Sequence, residues 1–122
     1  MKPYETLKLN KEFRRLYGRG KNLVHPVLVT YALKNRSGNI RMGITAGKKV
    51  GGAVERNRAK RVITAAFRQC VPFICEGYDL VFIARTRTGA AGSDAVRLAM
   101  EKHFKELGIW SKDNEKTSTT SD

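Results

Sequence analysis

Between residues 53 and 70 the chain reads AVERNRAKRVITAAFRQC. Ala59, Val62, Ile63, Ala66, Phe67 and Cys70 recur there at the three- and four-residue spacing of a single helical face. A helix with such a stripe gains most of its stability from whatever covers it, so the rest of the chain has to supply an apolar sheet or a second helix. Pro72 ends the helix soon after Cys70.

The remaining segments supply that cover. Residues 26–34 (PVLVTYALK) read as a strand, with Val27, Val29, Tyr31 and Leu33 on one face and Leu28, Thr30 and Ala32 on the other. Residues 40–46 (IRMGITA) alternate again, and the turn residues 35–39 between the two predict an antiparallel hairpin. The unbroken apolar run Leu80–Ala84 within residues 78–85 predicts a strand covered on both faces, inside a sheet. Residues 10–17 predict a short helix with Asn10 as its N-cap, Gly18 as its stop and Leu9, Phe13, Leu16 and Tyr17 as its stripe. Arg19 to Asn22 reads as a basic loop. A last helix starts at Ser93, carries Val96, Met100, Phe104 and Leu107 on one side and ends at Gly108. The predicted order is helix, strand, strand, helix, strand, helix: a single-domain α+β sandwich with three helices on a small mixed sheet of about three to four strands.

The polar side of residues 53–70 is unusual. At about 100° per residue, Asn57, Arg61, Thr64 and Arg68 line up opposite the apolar stripe, with Arg58 and Lys60 flanking them and Arg56 in the first turn. A soluble helix ordinarily mixes signs to gain i,i+4 pairs; here Glu55 is the only acid. Cations at a helix start also oppose the helix dipole. The whole chain has 24 Lys+Arg against 11 Asp+Glu in 122 residues, a formal charge of +13. Such an excess destabilises the compact state unless a polyanion neutralises it. Nucleic acid is the first partner this predicts and an anionic membrane surface the second. Gly51-Gly52, directly before the helix, reads as a phosphate-binding junction. Phe13, Tyr17 and Tyr31 with neighbouring cations have the composition of a single-strand groove, although aromatic residues at helical spacing more commonly build a core.

Other chemistry is not signalled. His25 and His103 fall in different elements, the acids show no metal-binding spacing, and no Walker loop or hydrolase motif occurs. Cys70 and Cys75 read as free thiols, as suits a reducing cytoplasm. No apolar run approaches the length needed to cross a bilayer. Residues 111–122 (SKDNEKTSTTSD) contain no apolar side chain and read as a disordered polar tail beyond a domain spanning 1–110.

The run GKKVGGAVERNRAKRVITAAFR resembles the signature of the bacterial ribonuclease P protein component. It contains the lysine pair Lys48-Lys49, the turn Gly51-Gly52-Ala53-Val54, the Arg56-Asn57-Arg58 core and Lys60-Arg61. The early segment Phe13-Arg14-Arg15-Leu16-Tyr17-Gly18 and the order of the remaining elements extend the resemblance over roughly residues 5–108. Three positions depart from the family pattern: Gly47 stands where Ser is frequent, Gly52 where Asn is, and Thr64 where a cation is. The resemblance implies the small protein of a ribonucleoprotein endonuclease that removes the 5′ leader from precursor tRNA, with the active site and its Mg²⁺ in the RNA subunit. It implies contact with that RNA through Arg56, Asn57, Arg58, Lys60, Arg61 and Arg68. It implies leader binding between the first helix and the sheet by Phe13, Tyr17, Tyr31, Lys48 and Lys49. It further implies a left-handed β-α-β crossover, against the usual hand; no catalytic residue, metal site or obligate protein partner is predicted for this chain, and whether it contributes a metal ligand stays open.

Overall fold

A strand with apolar side chains on both faces needs a neighbour above and below the sheet. In the computed structural model, which describes residues 3–111, the run Leu80–Ala84 is the middle strand of a five-stranded mixed sheet. The elements follow in the order β1 (Glu5–Thr6), α1 (Asn10–Arg19), β2 (Lys21–His25), β3 (Leu28–Lys34), β4 (Arg41–Thr45), α2 (Ala53–Cys70), β5 (Tyr78–Ala84) and α3 (Thr88–Leu107). One 3-10 turn, Lys48–Val50, precedes α2 and another, Val71–Phe73, follows it. Across the sheet the order is β1-β4-β5-β3-β2. β4 is parallel to β5 and to β1, while β3 is antiparallel to β5 and to β2. The tail expected over residues 111–122 lies, apart from Ser111, outside the described residues.

The sheet is covered on both sides. Ala59, Ile63, Ala66, Phe67 and Cys70 of α2, and Val96, Met100 and Phe104 of α3, are buried against Leu28, Ala32, Leu80, Phe82 and Ala84. Phe82 anchors this layer, with ring centroids 5.5 Å from Phe67 and 6.1 Å from Phe104. Each such fully buried side chain stabilises the fold by about 1.5–3 kcal/mol. On the other side α1 packs Leu16 and Phe13 onto Val81, Tyr31, Leu33 and Leu7. The alternation along β3 therefore separates the two cores as its sequence pattern requires.

Several expectations need correction, beginning with the sheet, which has five strands instead of about three to four. Leu28–Lys34 pairs with Lys21–His25, not with Arg41–Thr45, and β5 lies between the two strands expected to form a hairpin. The need to bury both faces of β5 decides this, since a β3–β4 hairpin would leave β5 at an edge. The segment read as a basic loop begins the edge strand β2, whose exposed Lys21, Asn22 and Val24 suit an edge. In α1 the N-cap is Leu9, not Asn10, and Leu9 is exposed at 54% instead of joining the apolar stripe. The helix continues past Gly18 to Arg19 and stops at Gly20, where a Cβ would lie 2.6 Å from the Leu16 carbonyl oxygen and 3.1 Å from that of Ala32. In α3 a helical turn over Thr88–Ala91 precedes a break at Gly92 (φ 85°), so the main body starts at Ser93 as expected.

Buried polar groups tie the layers together. Asp79, 1% exposed, receives two hydrogen bonds from Arg41, at 2.8 Å to Oδ1 and 2.7 Å to Oδ2. Arg41 also pairs with Glu12 of α1 at 3.0 Å, and Asn35 donates to Asp79 Oδ1 at 2.8 Å. The hydrogen bond to Asp79 raises the Arg41 pKa above its ordinary value. Under α3, His103 Nδ1 shares a 2.7 Å hydrogen bond with Thr30 Oγ1. Burial first, and then the neighbouring His25, lower the His103 pKa below 6.5.

Two outcomes follow from these groups. Asp79→Ala leaves Arg41 with one carboxylate and should cost about 3 kcal/mol, read as a lower urea midpoint. Below about pH 6.5 unfolded His103 takes up a proton that the folded state resists, so stability should fall as pH drops from about 7.5 toward 5. His103→Gln should flatten that part of the stability–pH curve.

Candidate nucleic-acid interface

α2 is held by its apolar stripe, and this fixes where its cations point. Asn57, Arg58, Lys60, Arg61 and Arg68 are exposed and Arg56 is half-buried. None of the five cations forms an ion pair among the described residues. Arg56 to Arg61 cluster within about 8 Å of helix length, and Arg68 follows about two turns further along. Arg58 runs beside the start of α3, where a Cβ built on Gly89 would lie 3.6 Å from its Cγ and Cδ. The exposed Arg85 and Arg87 belong to the same loop. Neither is among the residues that the sequence pattern singles out. The signal for them was two cations directly after the apolar strand.

The expected phosphate junction at Gly51-Gly52 is already taken. Gly52 N–H donates to Glu55 Oε1 at 2.7 Å. The sole acid of α2 thus caps its own helix and compensates the dipole there. The cations downstream, not the helix terminus, remain open to an anion.

The second surface lies between α1 and the Ile44–Thr45 end of β4. Leu7, Lys8, Asn10, Phe13, Arg14, Tyr17, Ile44 and Thr45 line a cleft of about 510 Å³. Phe13 rests on Gly43, where a Cβ would come within 2.5 Å of its ring. Tyr17 is held from two sides: its Oη shares a 2.8 Å hydrogen bond with Thr45 Oγ1, and its ring meets Tyr31 edge-on at 5.1 Å. At 39% exposure Tyr17 presents a fixed aromatic face, while Tyr31 lies half-buried behind it. Phe13 both fills the α1 core and lines the cleft. Lys48 and Lys49 are exposed on the turn that links the Thr45 end of β4 to α2, so they join the cleft to the basic helix. Thr45 lines the cleft and Gly43 seats Phe13, contacts that their residue types alone do not signal.

Among the described residues no three His, Cys, Asp or Glu side chains converge to hold a metal ion. The fold brings His25 and His103 to 6.1 Å between ring centroids, but His25 Nδ1 accepts from Val27 N–H and His103 is tied to Thr30. Both thiols are free, and burial pushes that of Cys70 up to about 12. Among the described residues no helix is long and apolar enough to cross a membrane.

Comparisons with known proteins agree with this geometry. The Ribonuclease P family model matches residues 1–108. The ribonuclease P protein component of Clostridium beijerinckii is 40% identical over 121 residues, covering 93% of this chain and 95% of its own length. That of Clostridioides difficile is 42% identical over 102 residues, covering 83% and 86%. Among solved structures, the RNase P protein of Staphylococcus aureus superposes with a TM-score of 0.75 at 28% identity, over 87% of this chain and 97% of its own. That of Thermotoga maritima gives 0.73 at 29%, over 84% and 96%. A basic helix seated on a mixed sheet, an aromatic cleft under α1 and a family match over nearly all of the described residues agree, and the chain belongs to the ribonuclease P protein family.

Proposed function

We propose that this chain is the protein subunit of a cytoplasmic ribonuclease P ribonucleoprotein, in which it assists removal of the 5′ leader from precursor tRNA. Arg56, Asn57, Arg58, Lys60 and Arg61, extended by Arg68, grip the catalytic RNA. The α1 cleft takes the leader: Tyr17 and Phe13 offer faces for bases, Tyr31 props Tyr17, and Lys48 and Lys49 neutralise phosphates. The observation that carries the reading is that the short link Ala46 to Gly52 joins Thr45 at the aromatic cleft to the start of the basic helix α2.

Catalysis in this proposal belongs to the RNA subunit. In this reading the Mg²⁺ ions are held mainly by the RNA subunit, which supplies phosphate oxygens for them. The protein contributes binding energy and position. Its cations offset the repulsion between leader, tRNA and catalytic RNA. Holding the leader lowers the entropy that must be lost to bring the scissile phosphate to its place. Such binding accelerates cleavage to the extent that it is stronger in the transition state than in the bound ground state.

The two surfaces should separate experimentally. Arg58→Ala and Arg61→Ala should weaken assembly with the RNA subunit, each making the slope of log K against log salt shallower by about 1. An unchanged slope counts against the α2 assignment. Tyr17→Ala should weaken binding of leader-bearing tRNA to the reconstituted particle by about 1–3 kcal/mol while mature tRNA binds as before. Tyr17→Phe, which keeps the ring, should retain most of that affinity. Equal losses for both tRNAs would refute the cleft assignment.

A further inference from the structure

α1 has a second flank. Opposite the cleft, Arg15 and Arg19 of α1, Lys34 at the end of β3 and Arg36 in the following turn border a hollow of about 700 Å³. Arg41 also lines it, but Asp79 and Glu12 already neutralise Arg41. The other four cations form no ion pair among the described residues. Arg36 is presented by a fixed turn: Asn35 Oδ1 accepts from Ser37 Oγ and Gly38 N–H, and Asn35 Nδ2 donates to Asn39 O and Asp79 Oδ1. Four like charges from three segments around one hollow raise the energy of the folded state unless an anion sits among them.

We propose that this hollow binds phosphates of the leader upstream of those held in the cleft, so that one RNA strand passes over α1. The proposal rests on the cleft being the leader site. The crest of α1 supports the passage. Lys11, Arg14 and Arg15 are exposed on it, Arg14 borders the cleft and Arg15 borders the hollow. The only acid of the helix, Glu12, is engaged by Arg41 and by Leu9 N–H. RNA gripped by α2 lies across the sheet from the hollow, because α1 and α2 cover opposite faces. A strand leaving the cleft has only to cross one helix, about 10 Å thick.

The test uses the reconstituted particle and two precursor tRNAs, one with a leader that just fills the cleft and one about 10 nucleotides longer. The longer leader should bind several-fold tighter, with a salt slope steeper by about 2 for some three added phosphate contacts. The combined variant Arg15→Gln, Arg19→Gln and Arg36→Gln should abolish that gain. Short-leader affinity, assembly with the RNA subunit and the thermal midpoint should stay unchanged. The pair Lys34→Gln and Arg36→Gln, which leaves α1 intact, should remove part of the gain. The proposal is overturned by a wild-type particle indifferent to leader length, by a triple variant that keeps the gain, or by one that loses assembly, which would assign the hollow to the catalytic RNA. Short-leader binding insensitive to Tyr17→Ala would instead remove the cleft reading, and this proposal with it.

Discussion

A single buried carboxylate, Asp79, organises the α1 side of the molecule. It sits at the start of the central strand, and every partner it holds comes from a different segment: Arg41 from β4, Asn35 from the turn after β3 and, through Arg41, Glu12 from α1. A carboxylate this deeply buried is tolerated only with its lone pairs occupied. Through Arg41 it is tied to Glu12, which anchors one flank of α1 to the sheet. On the other flank Phe13 lies over Gly43 and Tyr17 is bonded to Thr45. The cleft is thus set by polar contacts on one flank of α1 and aromatic contacts on the other.

The few acids are placed with economy. Glu12 and Asp79 neutralise Arg41, Glu55 caps α2, and Glu101 holds Arg97 and Lys105 on α3. Among the described residues, no acid forms an ion pair with the open cations of α2 or of the lysine turn. Among the described residues, Arg41, Arg97 and Lys105 are paired, and the cations facing solvent along α1 and α2 are not. A chain with the same composition but mixed pairing would show the same net charge and a much weaker field at these surfaces.

Periodicity revealed the helices well because their stripes are long. α2 carries six apolar positions in phase, and five of them are buried with Val62 packed partly against the same core. The double-faced run of β5 likewise announced an interior strand. Strand pairing was less legible. The turn residues between β3 and β4 look like hairpin chemistry, yet they serve to pass the chain over the end of β5, with Asn35 N–H bonded to the Gly77 carbonyl. Local turn preference cannot reveal a strand that arrives about 40 residues later. At the site, residue types pointed to the cations and aromatic rings but not to Thr45 or Gly43, whose roles exist only through contact with Tyr17 and Phe13. Glu55 overturned the phosphate reading of Gly52 for the same reason: a capping contact depends on side-chain geometry.

The lateness of β5 has a consequence for biogenesis. When β1 to β4 have left the ribosome, β3 and β4 have no strand between them, since each pairs with β5 in the finished sheet. The hairpin of β2 with β3 is the largest piece of sheet that can then form, and an isolated hairpin is marginal in water. α2 emerges next with its apolar stripe uncovered and its cations already in place. The sheet therefore closes only when Tyr78–Ala84 slides in, so the fold is completed in one late, cooperative event instead of growing strand by strand during translation.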